Sequence, residues 1–124
     1  MAVRYRSLLL VSALALLSTA AGAADVKSYA GSYRGRIPLT AGSCDTPDRV
    51  FTLTVDNRGA AKMLFHRRAG NSLEGKVDSS GALKLNMYAK TINMELTGKI
   101  DGPHLVGTMT SDEGCTWAID LTRG

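Results

Sequence analysis

Apolar and polar residues alternate one for one along most of the chain beyond position 28. The clearest run places Ile92, Met94, Leu96, Gly98 and Ile100 on one face and Asn93, Glu95, Thr97 and Lys99 on the other. A period of two is the mark of a half-buried β-strand, because successive side chains leave a strand on opposite sides. The same parity holds for Leu83, Leu85, Met87, for Leu73, Gly75, Val77 and for Leu105, Gly107, Met109. It recurs at both ends, in Tyr29, Gly31, Tyr33, Gly35, Ile37 and in Cys115, Trp117, Ile119, Leu121, and Phe51, Leu53, Val55 with Met63, Phe65 complete the set. The pattern predicts eight strands, near 29–37, 49–56, 61–67, 71–77, 82–88, 91–100, 104–110 and 115–122.

One segment also fits a helix. Leu85, Tyr88, Ala89, Ile92 and Leu96 share a helical face in a stretch free of Gly and Pro. That helix would leave Leu83, Met87 and Met94 on its polar side, whereas alternation accounts for all of them. Two strands joined by a turn at Ala89 and Lys90 are therefore expected.

The turns point to the same architecture. Val55-Asp56-Asn57-Arg58-Gly59, Val77-Asp78-Ser79-Ser80-Gly81 and Ile100-Asp101-Gly102 each end a strand with a β-branched residue, an Asp and a nearby Gly, which is hairpin chemistry. The segment Leu73-Glu74-Gly75-Lys76-Val77-Asp78 returns 23 residues later as Leu96-Thr97-Gly98-Lys99-Ile100-Asp101, a spacing too short for a helical crossover, so neighbouring strands pair antiparallel. Glycines within strands let the sheet curl. The expected fold is all-β, an eight-stranded antiparallel meander closing into a small barrel.

In such a meander the three tight turns around Asn57, Ser79 and Gly102 share one end. The long connection 38–48, the Arg67-Arg68-Ala69-Gly70 turn, the Ala89-Lys90 turn and the Asp112-Glu113 turn share the other. Cys44 lies in the long connection and Cys115 beside the last turn, and closure makes the first and last strands neighbours, so the two sulfurs meet at that end. A disulfide is also what export predicts.

Export is read from the N-terminus. Arg4 and Arg6 precede the apolar stretch Leu8–Leu17, and small residues follow at Ala20, Ala21, Gly22 and Ala23, the layout of a cleaved secretory signal spanning residues 1–23. The stretch is shorter than the roughly 20 apolar residues a bilayer span requires. The expected mature product is a single domain over 24–124, periplasmic or secreted, without a membrane span. Removing 1–23 takes away Arg4 and Arg6 and no acid, so the net charge falls from +4 to +2. The remaining basic residues are scattered along the sequence, which argues against nucleic acid as a partner.

No cofactor or metal is implied. His66 and His104 are the only histidines; both fall on the polar face and neither has a Cys nearby. Asp112 and Glu113 are adjacent, so as a carboxylate pair they would point apart unless the turn gathers them. Two cysteines separated by 71 positions make neither a redox motif nor a zinc shell. No Gly-x-Ser-x-Gly elbow is present, and an enzyme is not expected. Met63, Met87, Met94 and Met109 all face inward, where they fill a core or line an adaptable apolar site. The interior carries no charge away from its rim, where Arg67 falls, so a carboxylate ligand would lack a counter-charge.

The opening Tyr29-x-Gly31-x-Tyr33-x-Gly35 and the late Trp117 resemble the ends of lipocalin-like and avidin-like barrels. The resemblance implies architecture. It carries no ligand, since Tyr33 stands where those barrels have an early tryptophan and the residues that hold biotin have no counterpart here. Compact disulfide-bonded barrels also serve as small exported inhibitors of lysozymes and proteases. The sequence thus points to a non-catalytic binding module acting on a protein or envelope polymer, with inhibition of a hydrolase as one form of that role. Its candidate binding residues at the loop-rich end are Asp45, Arg67, Arg68, Asp112 and Glu113, beside the Cys44–Cys115 disulfide. The alternative is a carrier of a small apolar ligand in the barrel interior.

Overall fold

The structure is a computed structural model, and it describes residues 25–65, 72–88 and 92–124. The described residues form nine strands: β1 Gly31–Gly35, β2 Leu39–Ala41, β3 Phe51–Val55, β4 Ala60–Leu64, β5 Ser72–Val77, β6 Ala82–Tyr88, β7 Asn93–Asp101, β8 His104–Ser111 and β9 Thr116–Arg123. Every pairing is antiparallel and runs in the order β1-β3-β4-β5-β6-β7-β8-β9-β2. β1 also pairs with β9, which closes the barrel.

The eight-stranded barrel is the one the alternation predicts, and β2 is an addition within the connection expected to be loop. β1 and β2 act as two halves of one partner for β9. Tyr33 and Arg34 pair with Arg123 and Thr122, Pro38 O accepts from Ala118 N at 3.0 Å, and Leu39 and Ala41 then pair with Trp117 and Thr116. The register shifts between Leu39 and Ala41, and such an irregularity hides a short strand from a pattern of strict alternation. The helical alternative at 85–96 is excluded, because β6 and β7 pair without interruption from Ala82↔Lys99 to Tyr88↔Asn93. The turn residues Ala89 and Lys90, His66, and residues 1–23, expected to be a cleaved signal, lie outside the described residues.

Inward parity is burial. Leu73, Val77, Leu83, Leu85, Met87, Met94, Leu96, Ile100, Leu105, Met109, Trp117, Ile119 and Leu121 are all 0–4% exposed, and no polar or charged residue among the described ones is buried. Where a side chain would obstruct the curl, the sequence has glycine. A Cβ at Gly75 would stand 1.8 Å from Lys84 O, and one at Gly107 would stand 2.1 Å from Thr97 O. The neighbouring backbone occupies that space, so the sheet bends there as sharply as a small barrel requires.

The first predicted strand is shorter than its pattern. Tyr29 ends a 3₁₀ helix, Val26–Tyr29, capped by Asp25, whose Oδ1 accepts from Lys27 N at 3.1 Å. This turn lies across the tight-turn end of the barrel. Tyr29 Oη donates to Ser79 O at 3.1 Å, and Tyr33 Oη donates to Tyr29 O at 2.7 Å. Arg123 donates to Ser28 O at 2.7 Å while its guanidinium stands 5.7 Å from the Tyr33 ring centre. Burial raises the Tyr33 phenol pKa and the neighbouring Arg123 charge lowers it, with burial the larger effect.

Two of the tight turns share one design. Asp56 Oδ1 accepts from Arg58 N and Ala60 N, and Asp78 Oδ1 accepts from Ser80 N and Ala82 N, at 2.8–3.1 Å. Gly59 and Gly81 complete the turns at φ +86°, a conformation that penalises any side chain. The backbone donors from Ala60 and Arg58 hold the Asp56 carboxyl below its ordinary pKa. The Ser80 hydroxyl and N–H do the same for Asp78. A carboxyl lowered on folding contributes stability that is fully present above its unfolded value of 3.8 and is lost as pH falls through its folded value. The double variant Asp56→Asn, Asp78→Asn keeps the acceptor oxygen and removes the titration. Its loss of stability below about pH 4 is expected to be shallower than that of the wild type. Parallel acid-unfolding curves would show that these carboxyls have the same pKa folded and unfolded.

Candidate functional site

The end opposite the tight turns is built by a strap, residues 42–50, that carries the chain from β2, paired with the start of β9, to the start of β3. Three features pin it. Cys44 is bonded to Cys115, with 6.2 Å between Cα atoms. Trp117 Nε1 donates to Thr46 Oγ1 at 2.7 Å. Arg49 donates to Leu64 O at 3.2 Å and Phe65 O at 2.8 Å, and its guanidinium stands 4.5 Å from the Phe51 ring centre. Arg36 and Asp48 also form an ion pair, but their side chains are 64% and 94% exposed, so water and salt screen it and it holds the strap weakly.

Beneath the strap lies an aromatic floor. The Phe51 and Phe65 rings stack at 5.3 Å between centres, and Trp117 meets Phe65 edge-on at 5.4 Å. These are favourable ring geometries that add to the area buried. The floor separates the strap from the barrel interior. A cavity roomy enough for a ligand would leave its lining reachable by a water-sized sphere, yet Tyr33, Phe51, Leu53, Leu73, Leu85, Leu96, Leu105, Met109 and Leu121 are each 0% exposed. Met63, Met87 and Met94, at 1–2%, fill space rather than line it.

The predicted site residues are placed as follows. Asp45 is exposed on the strap, directly after Cys44. Glu113 Oε2 stands 3.6 Å from Cys44 Sγ, a contact without a hydrogen bond, since a disulfide sulfur has no proton to give. The disulfide therefore brings Asp45 and Glu113 to one corner. Asp112 turns the other way: its N–H donates to Asn93 O at 3.0 Å and its Oδ1 accepts from Asn93 N at 3.2 Å. The adjacent acids do point apart, as their adjacency implied. Arg67 and Arg68 lie outside the described residues. The strands flanking them end at Leu64 and begin at Ser72, a residue pair at this same end of the barrel.

Two features here escape sequence reasoning. Arg49 reads as the first, polar residue of the strand predicted near 49–56, yet it lies on the strap and closes the end of β4. Beside Asp112, a shallow hollow of about 300 Å³ is lined by Asn86, Asn93, Glu95, Thr110 and Ser111, with Met94 beneath. Asn86, Glu95 and Thr110 stand in one row across three strands, so alternation identifies them as outward but gives no sign that they converge. Among the described residues, no group of three or more His, Cys, Asp or Glu is arranged to hold a metal ion. No helix among them is long and apolar enough to cross a membrane.

No family model, no curated protein and no solved structure matches the chain. The likeness to lipocalin-like and avidin-like barrels accordingly rests on architecture alone.

Proposed function

We propose that the protein is an exported, non-catalytic binding module that recognises a protein or an envelope polymer through its strapped end, with inhibition of a hydrolase as one form of that activity. The observation that carries this reading is the contrast between a closed interior and a pre-ordered, polar outer end. Recognition inside the barrel would need displacement of side chains that are 0–4% exposed, and packed cores resist such displacement. The strap, by contrast, is already fixed by a disulfide and by Trp117, so a partner that contacts it does not have to order it first. The disulfide is compatible with an oxidising compartment, and the N-terminal pattern of residues 1–23 supports export.

The surface around the strap offers carboxylates at Asp45, Glu113 and Asp112. The hollow beside it adds amides and hydroxyls, which suit polar partners. The sequence adds Arg67 and Arg68 between β4 and β5, two cations of the kind that grip carboxylates or phosphates. The test is affinity capture from the native envelope followed by charge reversal. Arg67→Glu with Arg68→Glu, and separately Asp45→Lys with Glu113→Lys, are expected to weaken binding about tenfold or more. Arg58→Glu, at the opposite end, is expected to leave binding within about twofold. Equal losses at the two ends would place the site elsewhere. Saturable uptake of a small apolar dye, abolished by Met87→Ala and Met94→Ala in a folded protein, would establish the carrier instead.

A further inference from the structure

The outer face of β7, β8 and β9 carries the most exposed large apolar residue of the described chain, Val106, at 55%. Register places it between two charges of opposite sign. Lys99 on β7 pairs with Val106, and Val106 pairs with Asp120 on β9, so the three form one row across the sheet. The ion pairs among the described residues are Arg36–Asp48, Lys62–Glu74 and Lys84–Glu95; Lys99 and Asp120 enter none of them. Lys99 does lower the Asp78 carboxyl through space, but hydrogen bonds from Ser80 and Ala82 already hold that carboxylate in its turn.

A row with a cation, an apolar centre and an anion is complementary to itself. Turning a second copy over about a two-fold axis that runs along β8, in the plane between the two sheets, sets Val106 on Val106 and each Lys99 opposite the other copy's Asp120. The neighbouring rows can be followed through the same operation. Toward the strapped end, small uncharged residues face one another in the row Thr97–Thr108–Ala118, and Glu95 faces Thr116 in the row after it. Toward the tight-turn end, Asp101 faces Thr122 and His104 meets the second copy's His104, so no carboxylate meets a carboxylate and no ammonium an ammonium. Shape agrees with charge. A barrel face is convex, and the flanking strands fall away from the central one. At its middle the central strand presents short side chains, Val106 and Thr108, while Lys99 and Asp120 on the flanks are longer and charged.

We propose that this face is a self-association surface and that its partner is a second copy of the chain. Each copy contributes one large apolar side chain, Val106, and charges that water screens, so the dimer is weak and forms where the protein is concentrated. Because the axis runs along the strands, both strapped ends point the same way. If those ends bind as proposed above, the pair is bivalent toward a repetitive polymer and gains avidity without any new contact.

Sedimentation equilibrium of the oxidised protein from about 10 µM to about 1 mM tests this, since weak interfaces dissociate in that range. A monomer–dimer equilibrium is expected. Val106→Arg should remove it and Lys99→Glu should weaken it about tenfold. The swap Lys99→Glu with Asp120→Lys should restore it to within about threefold. Lys62→Glu, outward on β4, should change nothing, and Trp117 emission verifies that each variant is folded. A monomer throughout the range, association that survives Val106→Arg in a folded protein, or a swap no better than its single parent would each overturn the proposal. None of these results depends on the strapped end, because no binding partner is present.

Discussion

Trp117→Ala is expected to lower the unfolding free energy by about 3–5 kcal/mol, the range for truncating a large buried aromatic. Trp117 is 1% exposed, pairs with Met109 on β8 and with Leu39 on β2, meets Phe65 edge-on, and donates its indole N–H to Thr46. The substitution opens a cavity under the strap and also leaves Thr46 without its donor. Those contributions can be separated. Trp117→Phe keeps most of the volume and deletes the hydrogen bond, so it should cost nearer 1 kcal/mol. Trp117 is the sole tryptophan, so native fluorescence reports this site alone and should be blue-shifted, moving red on unfolding. A water-like native spectrum, or a loss well under 1 kcal/mol in the alanine variant, would mean that β9 presents its other face to the core. A domain of this size has only about 5–15 kcal/mol to lose, so the alanine variant should already show partial unfolding on mild heating.

That prediction is legible in the sequence because it depends on parity alone. Cys115, Trp117, Ile119 and Leu121 alternate with more polar neighbours, and a strand with one buried face has only one register that satisfies all four. The same reasoning resolves 85–96, where the helical reading would have stranded Met87 and Met94, both of them 2% exposed on the inner face. What alternation misses is anything held by a partner distant in the chain. Tyr29 continues the parity of the first strand, yet it ends a 3₁₀ helix and its hydroxyl reaches Ser79, 50 positions away. Arg49 finds its acceptors at Leu64 and Phe65 and β2 finds its partner on β9, and in neither case does the local sequence announce the match. The candidate site was legible as an end of the barrel, because tight Asp-Gly turns sort to one side and longer connections to the other. How its acids divide was legible only in part. Adjacency separates Asp112 from Glu113, but only the disulfide explains why Glu113 and not Asp112 lies beside Asp45's neighbour Cys44.

The double variant Cys44→Ala, Cys115→Ala is expected to lose about 4 kcal/mol, because cutting a loop of this length restores freedom to the unfolded chain. The link joins positions 71 residues apart, and for a domain of roughly 100 residues the loss corresponds to a fall in Tm on the order of 15–20 °C. The structure also predicts where the native state loosens. Without the link, the strap is still tied by the Trp117–Thr46 and Arg49 hydrogen bonds at its far side, while Gly42 to Asp45 lose their anchor. Amide exchange should therefore quicken at β2, whose Leu39 and Ala41 depend on β9 for pairing, before it quickens in β5 to β8. Trp117 emission should stay blue-shifted at moderate temperature, since the aromatic floor does not need the sulfurs. An unchanged Tm together with unchanged exchange at β2 would show that the strap is held by packing alone, and pre-ordering by the disulfide would then drop out of the account of the strapped end.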